Sequence, residues 1–191
     1  MRIEWVCKDS KLWPDDLILA LNLSPLQLTD PMLPMHILAI LTENGFPPNR
    51  LEIEVTESAL VKDLQGAKAI LTSFQNLGMR ISLDDFGLGY ASMYNLADLR
   101  FDKIKIDRSY IQSMSGNSES LAIVNAVLAL SKRLGVPTLA EGVENREAMV
   151  SLIASGCEFG QGYLFGKAVP VSETLGIVES TRGALKIGAV A

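Results

Sequence analysis

The chain has 191 residues, 48% of them hydrophobic and 20% charged, a globular composition with enough length for one domain around a sizeable core. That balance excludes a disordered chain, and a net charge of −5 without a long basic run excludes an electrostatic binder of DNA or RNA. The longest nearly apolar stretch, Leu121 to Leu130, is broken by Asn125 and falls far short of the ~18 residues that suggest a membrane span. No membrane insertion by this segment is expected, and Glu4 stands where a signal peptide needs an unbroken apolar core, so a cytoplasmic location is expected. Cys7, Cys157 and the single histidine, His36, have no zinc-type spacing.

Short β-favouring runs alternate with stretches of helical period. The first run is Leu17 to Leu23; Asp30 followed by Pro31 then opens a helix that Gly45 closes. Leu51 to Thr56 is the second run. Ala67, Ile70, Leu71, Phe74 and Leu77 recur at three and four residues, giving a helix with one buried face before Gly78. Arg80 to Leu83 and Lys103 to Asp107 follow as strands, and Ser118 opens a helix that Gly135 closes. Pro137 to Ala140 is the fifth run. Asn145 caps a helix ending near Gly156, and Glu158 to Phe165 is the sixth run. Strands alternating with helices in this way predict βα units and a parallel sheet.

Function shows at the carboxyl end of each run. Asp84 and Asp85 are adjacent like charges, expensive to keep together unless a multivalent cation or a shared proton offsets them. Alone, such a pair reads as a cap and a solvated residue. The other runs, however, end in Asn22, Glu54 with Glu57, Lys105 with Asp107, Glu141 with Glu144, and Gln161. In a parallel α/β fold these ends converge on one rim, where barrels and open sheets build their sites. Asparagine and carboxylate oxygens are hard ligands suited to Mg²⁺, Mn²⁺ or Ca²⁺. Carboxylates for two ions, with a lysine and a glutamine to orient water, point to two-metal hydrolysis of a phosphodiester, in which Asp84 or Asp85 bridges the ions. Lys103, Lys105 and Arg108 make a small basic cluster that Asp102 and Asp107 blunt. Gly87 and Gly89, flanking Leu88, would let the segment through Ser92 bend and move as a lid; it lacks the lysine and spacing of a P-loop.

Five segments in this order resemble the EAL domain, the cyclic di-GMP-specific phosphodiesterase. They are Leu21-Asn22-Leu23-Ser24-Pro25, Glu54-Val55-Thr56-Glu57, Asp84-Asp85-Phe86-Gly87, Lys105-Ile106-Asp107, and Glu141-Gly142-Val143-Glu144 with Gln161-Gly162-Tyr163-Leu164-Phe165. The resemblance implies an α/β (β/α)8 TIM-barrel-like EAL fold that cuts cyclic di-GMP to the linear dinucleotide with Mg²⁺ or Mn²⁺, Ca²⁺ being inhibitory. It carries the metal ligands over to Asn22, Glu54, Asp84 and Asp85, with Glu141 reached directly or through water. The catalytic positions become Lys105, Glu141 and Gln161, of which Lys105 and Gln161 match those that hold the attacking water and its neighbours. The lid is placed at Phe86, Gly87 and Gly89, with Glu57 as its anchor. It also implies a homo-oligomer, and fused or associated sensory or GGDEF-type domains as partners.

Length marks a departure. A (β/α)8 barrel takes about 250 residues, and six of eight units fit here, so the expectation is a partial EAL domain over residues 1–180 with a tail at 181–191. By the same resemblance the chain is expected to begin near the family's second helix, with Trp5, Cys7 and Leu12, and to be without the first two strands, the Glu-Ala-Leu glutamate and a nearby substrate-contacting arginine. Leu88 and Ala168 replace a small or hydroxylated residue and a proline, as tuning. The expected function is therefore an EAL-type phosphodiesterase domain impaired in this chain. The alternatives are a non-catalytic cyclic di-GMP receptor or interaction domain and, more distantly, an unrelated metal-dependent hydrolase.

Overall fold

Apolar and polar residues alternate along the strands, and that period decides which face of the sheet meets the helices. The computed structural model describes Glu4, Cys7 and residues 13–87 and 99–185. Within them, β1 (Leu19–Leu23), β2 (Leu51–Thr56), β3 (Arg80–Phe86), β4 (Lys103–Ile106), β5 (Thr138–Ala140) and β6 (Phe159–Gly160) form one sheet in sequence order, every neighbouring pair parallel. Leu23, Ile53, Val55, Ile81, Leu83, Ile104 and Ile106 enter the core with Ile37, Leu41, Phe74 and Val124 from the helices. The intervening residues, Glu52 and Glu54 on β2, Ser82 and Asp84 on β3, and Lys103 and Lys105 on β4, take the other face. Strands lie about 4.8 Å apart, and both lysines of β4 reach across β3 to glutamates of β2, so the polar face is laced by side chains spanning two strand spacings.

Helices among the described residues include α1 (Leu33–Asn44), α2 (Glu57–Lys62), α3 (Leu64–Asn76), α4 (Arg108–Ser113), α5 (Ser118–Leu134), α6 (Arg146–Ala154) and α7 (Val171–Leu185). Most of their ends follow the expected signals. Gly45 and Gly135 close α1 and α5 with φ of 67° and 68°. Asn145 accepts from the Ala148 N–H to cap α6. The buried face of α3 is Ala67, Ile70, Leu71 and Phe74.

Two expectations shift. Helix α1 starts at Leu33 with Pro34 in its first turn, because the Asp30 carboxylate accepts from the Met32 N–H and Leu33 N–H bonds the Asp30 carbonyl, making a turn of Asp30-Pro31 instead of a helix start. For β6, only Phe159 and Gly160 pair. Beyond them Val143 N–H bonds Gln161, and Phe165 and Gly166 N–H both return to the Gly162 carbonyl, so the chain turns away from the ladder. No helix among the described residues is long and apolar enough to cross a membrane. Gly89, Leu88, Trp5, Leu12 and residues 186–191 lie outside the described residues.

Candidate metal centre

At the carboxyl ends of β2 to β5 the polar face gathers around one ammonium group. Lys105 Nζ lies 2.9 Å from Glu54 Oε2, 3.1 Å from Asp84 Oδ2 and 2.7 Å from Glu141 Oε1. Burial alone would lower the lysine pKa, but hydrogen bonds to Glu141 and Glu54 and their charges outweigh it and raise it above the ordinary value. Glu141 is raised as well, first by burial and then by Asp84 and Glu54, with Lys105 opposing. One cation shared by three carboxylates leaves the cluster short of positive charge.

Asp85 adds a fourth carboxylate, and a backbone irregularity places it there. Successive strand residues face opposite sides, so a regular β3 would send Asp84 and Asp85 apart. Instead the β3–β4 register shifts between Leu83 and Phe86, and Asp85 takes φ +55°, alone in positive φ among the described non-glycine residues. Its N–H bonds Asp84 Oδ1 at 3.0 Å. As a result Asp84, Asp85 and Glu141 each offer an oxygen within 4.8 Å of the others. Burial, then the charges of Asp84 and Asp107, raise the Asp85 pKa against the pull of Lys105 and Arg108. Three converging carboxylates with Glu54 across a shared ammonium are an all-oxygen set of the type Mg²⁺ or Mn²⁺ takes, and a divalent ion would relieve their repulsion better than one lysine does.

Below the acidic turn, Glu57 is buried at the start of α2 and accepts from Gly87 N–H at 3.3 Å. Phe86 is buried between them in sequence. Gly87 has φ +101°, and its carbonyl accepts from the Tyr110 hydroxyl at 2.8 Å. Asp107 serves as a cap, accepting from Ser109 N–H at 2.9 Å to start α4.

Two expected residues are exposed beside the buried cluster. Asn22 lies on β1 in register with Glu54 but is exposed. Gln161 is also exposed; it lines a cleft of about 270 Å³ with Arg108, Gln112, Glu141, Gly142, Glu144, Gly162 and Tyr163. Gly162 fits there because a Cβ would come within 2.2 Å of the Val143 backbone.

Glu52, Ser82 and Tyr110 were not singled out from sequence, and Lys103 was read only as part of a small basic cluster. Lys103 holds Glu52 through both carboxylate oxygens, at 2.9 and 2.8 Å, one step lower on the same face. The repeats Glu52-x-Glu54 and Lys103-x-Lys105 carry that signal, since a period of two puts both members of each on one face. Between these two rungs sits Ser82, whose buried hydroxyl has no partner among the described residues. Tyr110 has no local signal, because its partner is 23 residues away in sequence.

Comparison with known proteins points in one direction. A signalling protein of Caulobacter vibrioides is 44% identical over 172 residues, 88% of this chain and 21% of that protein. The cyclic di-GMP phosphodiesterase RocR of Pseudomonas aeruginosa is 38% identical over 152 residues, 80% of this chain and 39% of that protein. The bifunctional diguanylate cyclase/cyclic di-GMP phosphodiesterase MucR of the same organism is 36% identical over 183 residues, 92% of this chain and 27% of that protein. This chain thus spans between about a fifth and two fifths of these relatives. Among solved structures, the MucR phosphodiesterase in complex with c-di-GMP superposes with a TM-score of 0.85 at 36% identity, over 90% of this chain and 73% of that one. The EAL domain of Mycobacterium smegmatis DcpA gives 0.87 at 33%, over 93% and 82%. Klebsiella pneumoniae BlrP1 with manganese and cyclic di-GMP gives 0.79 at 29%, over 86% and 42%. The EAL domain family itself matches residues 1–168, which span β1 to β6 and the whole acidic cluster, and the chain belongs to that family.

Proposed function

We propose that this chain is an EAL-type cyclic di-GMP phosphodiesterase domain, running over residues 1–180, that hydrolyses cyclic di-GMP to the linear dinucleotide. The observation that carries the reading is the convergence of Asp84, Asp85 and Glu141 around Lys105 at the carboxyl ends of parallel strands. Asp84, Asp85 and Glu141, with Glu54 and Asn22 alongside, would hold Mg²⁺ or Mn²⁺ as a two-ion site that Ca²⁺ inhibits; such ions supply a hydroxide nucleophile and charge neutralisation at phosphate. Glu141 would meet such an ion directly or through a water molecule. Lys105, whose pKa is raised, keeps its proton, and its ammonium would orient the attacking water and its neighbours beside the metal-holding carboxylates. Gln161, on the rim, would hydrogen-bond the attacking water or its neighbours, and Glu57 would anchor a lid that includes Phe86, Gly87 and Gly89. A dinucleotide with two phosphates is repelled by a chain of net charge −5 unless cations bridge them.

A second reading rests on a specific observation. The sheet ends at six strands among the described residues, and Asn22 on its β1 edge stands in solvent. Residues 1–191 by themselves would then bind cyclic di-GMP or a protein partner with turnover impaired. A cytoplasmic location, a homo-oligomer and association with sensory or GGDEF-type domains complete the proposal. The test incubates residues 1–191, and any longer gene product containing them, with cyclic di-GMP and Mn²⁺ and measures the linear dinucleotide. Product abolished by Asp84→Asn supports the enzyme reading, with less from residues 1–191. No product from either at high enzyme concentration refutes it, and retained cyclic di-GMP binding then favours the receptor.

A further inference from the structure

Asp85 is the strained residue of the acidic turn, and its geometry needs support from outside. A non-glycine residue at φ +55° is uncommon, although aspartate tolerates it better than most, and holding it in one place draws on its surroundings. One restraint is local: Asp85 N–H bonds Asp84 Oδ1, an oxygen of the candidate cation site. The other acts two residues on, at Gly87, where both backbone polar groups are taken by distant side chains. Its N–H donates to Glu57 Oε2 at 3.3 Å, and its carbonyl accepts from Tyr110 Oη at 2.8 Å. Tyr110 also lies against Gly87, since a Cβ there would come within 3.3 Å of the Tyr110 ring and 3.5 Å of Ile123 on α5. Helix α4 packs on α5 and starts from Asp107 and Arg108, whose charges act on Asp85. The Tyr110 hydroxyl is therefore the shorter of the two ties on the peptide that fixes how the acidic turn ends.

We propose that Tyr110 is a positioning residue for the acidic pair: through the Gly87 carbonyl, its hydroxyl holds the left-handed turn that keeps the Asp85 carboxylate beside Asp84 and Glu141. This rests on the phosphodiesterase reading above. It makes cation affinity depend on helix α4, which contributes no carboxylate to the cluster. Tyr110→Phe isolates the effect, because the ring contact with Gly87 stays and only the hydrogen bond is lost.

The experiment compares the 191-residue chain with Tyr110→Phe by two measurements. Hydrogen exchange of the peptide over residues 83–87, without metal, reads the tie itself; titration with Mn²⁺, followed by the EPR signal of the free ion, reads its consequence. The expected result is faster exchange confined to residues 83–87 and Mn²⁺ binding about five-fold weaker, the scale of one net neutral hydrogen bond, with cooperative unfolding retained. Tyr110→Met, which also lacks a donor, reproduces both changes and serves if the phenylalanine chain fails to fold. Unchanged exchange, or faster exchange with unchanged Mn²⁺ affinity, overturns the positioning role while the function reading stands. Faster exchange in a chain whose parent takes up no Mn²⁺ overturns the positioning role, while the function reading is decided separately by product formation in the longer gene product.

Discussion

Lys105 does the work of a counter-ion among Glu54, Asp84 and Glu141, and its removal tests that directly. With the ammonium gone, buried carboxylates are left without a partner, a loss on the order of 3 kcal/mol for a broken buried pair. Lys105→Met should therefore lower stability by about 3 kcal/mol in urea unfolding. Mn²⁺ should stabilise the variant more than the parent, since a cation then meets uncompensated carboxylates. Equal stability with and without the lysine would show that the cluster does not need it. The raised lysine pKa sets the sign of the pH effect: this stabilisation is present below the ordinary lysine pKa and is lost only as pH rises through the higher folded value. The sequence displayed all four carboxylates and the lysine, because polar residues closing apolar runs are visible one at a time. It did not display that Lys105 touches three of them, a fact that depends on strand order and register.

Helices and strand ends follow local chemistry, while the edge strand is held by a side chain. Glu158, just before β6, accepts from Thr138 N–H at 2.9 Å and from Thr138 Oγ1 at 2.6 Å, pinning the last strand to β5. Burial alone would raise its pKa, but the two Thr138 bonds outweigh this and lower it. A depressed glutamate contributes stability that is present above its ordinary pKa and lost as pH falls through the folded value. The parent should thus lose stability between roughly pH 5 and pH 3 more steeply than Glu158→Gln, measured by urea unfolding across that range. Identical pH profiles would count against the tie. The glycine and asparagine signals at Gly45, Gly135 and Asn145 were legible because each cap is settled within a few residues. Asp30-Pro31 misled, because the same residues that start a helix also close a turn, and the competing hydrogen bonds decide between them.

Across the whole molecule, burial falls from the centre of the sheet to its edges. In β2 five of six residues are buried, whereas β1 alternates half-buried and exposed positions up to buried Leu23 and both residues of β6 are exposed. Around β6, Phe159 is 51% exposed, Phe165 57%, Ile153 63% and Tyr163 66%. Open edges and apolar patches of this kind invite pairing with another chain. The 191-residue chain should associate in a concentration-dependent way, read by light scattering, with mixed species at the higher concentrations. A compact monomer with a sharp thermal transition at every concentration would contradict this.

The sequence by itself determined the parallel α/β class, six strand runs in order, and the polar residue at each strand end, because periods of two and 3.6 and local caps are properties of neighbouring residues. Its motifs also determined the family, which the match over residues 1–168 bears out. Tertiary structure alone decided which of those residues meet. It turned Asp85 through a bulge onto the same side as Asp84, placed Lys105 between β2, β3 and β5, left Asn22 and Gln161 at the rim, and brought Tyr110 to Gly87. These contacts are set by strand order, register shift and helix docking, which join residues too far apart in the chain for any local pattern to record.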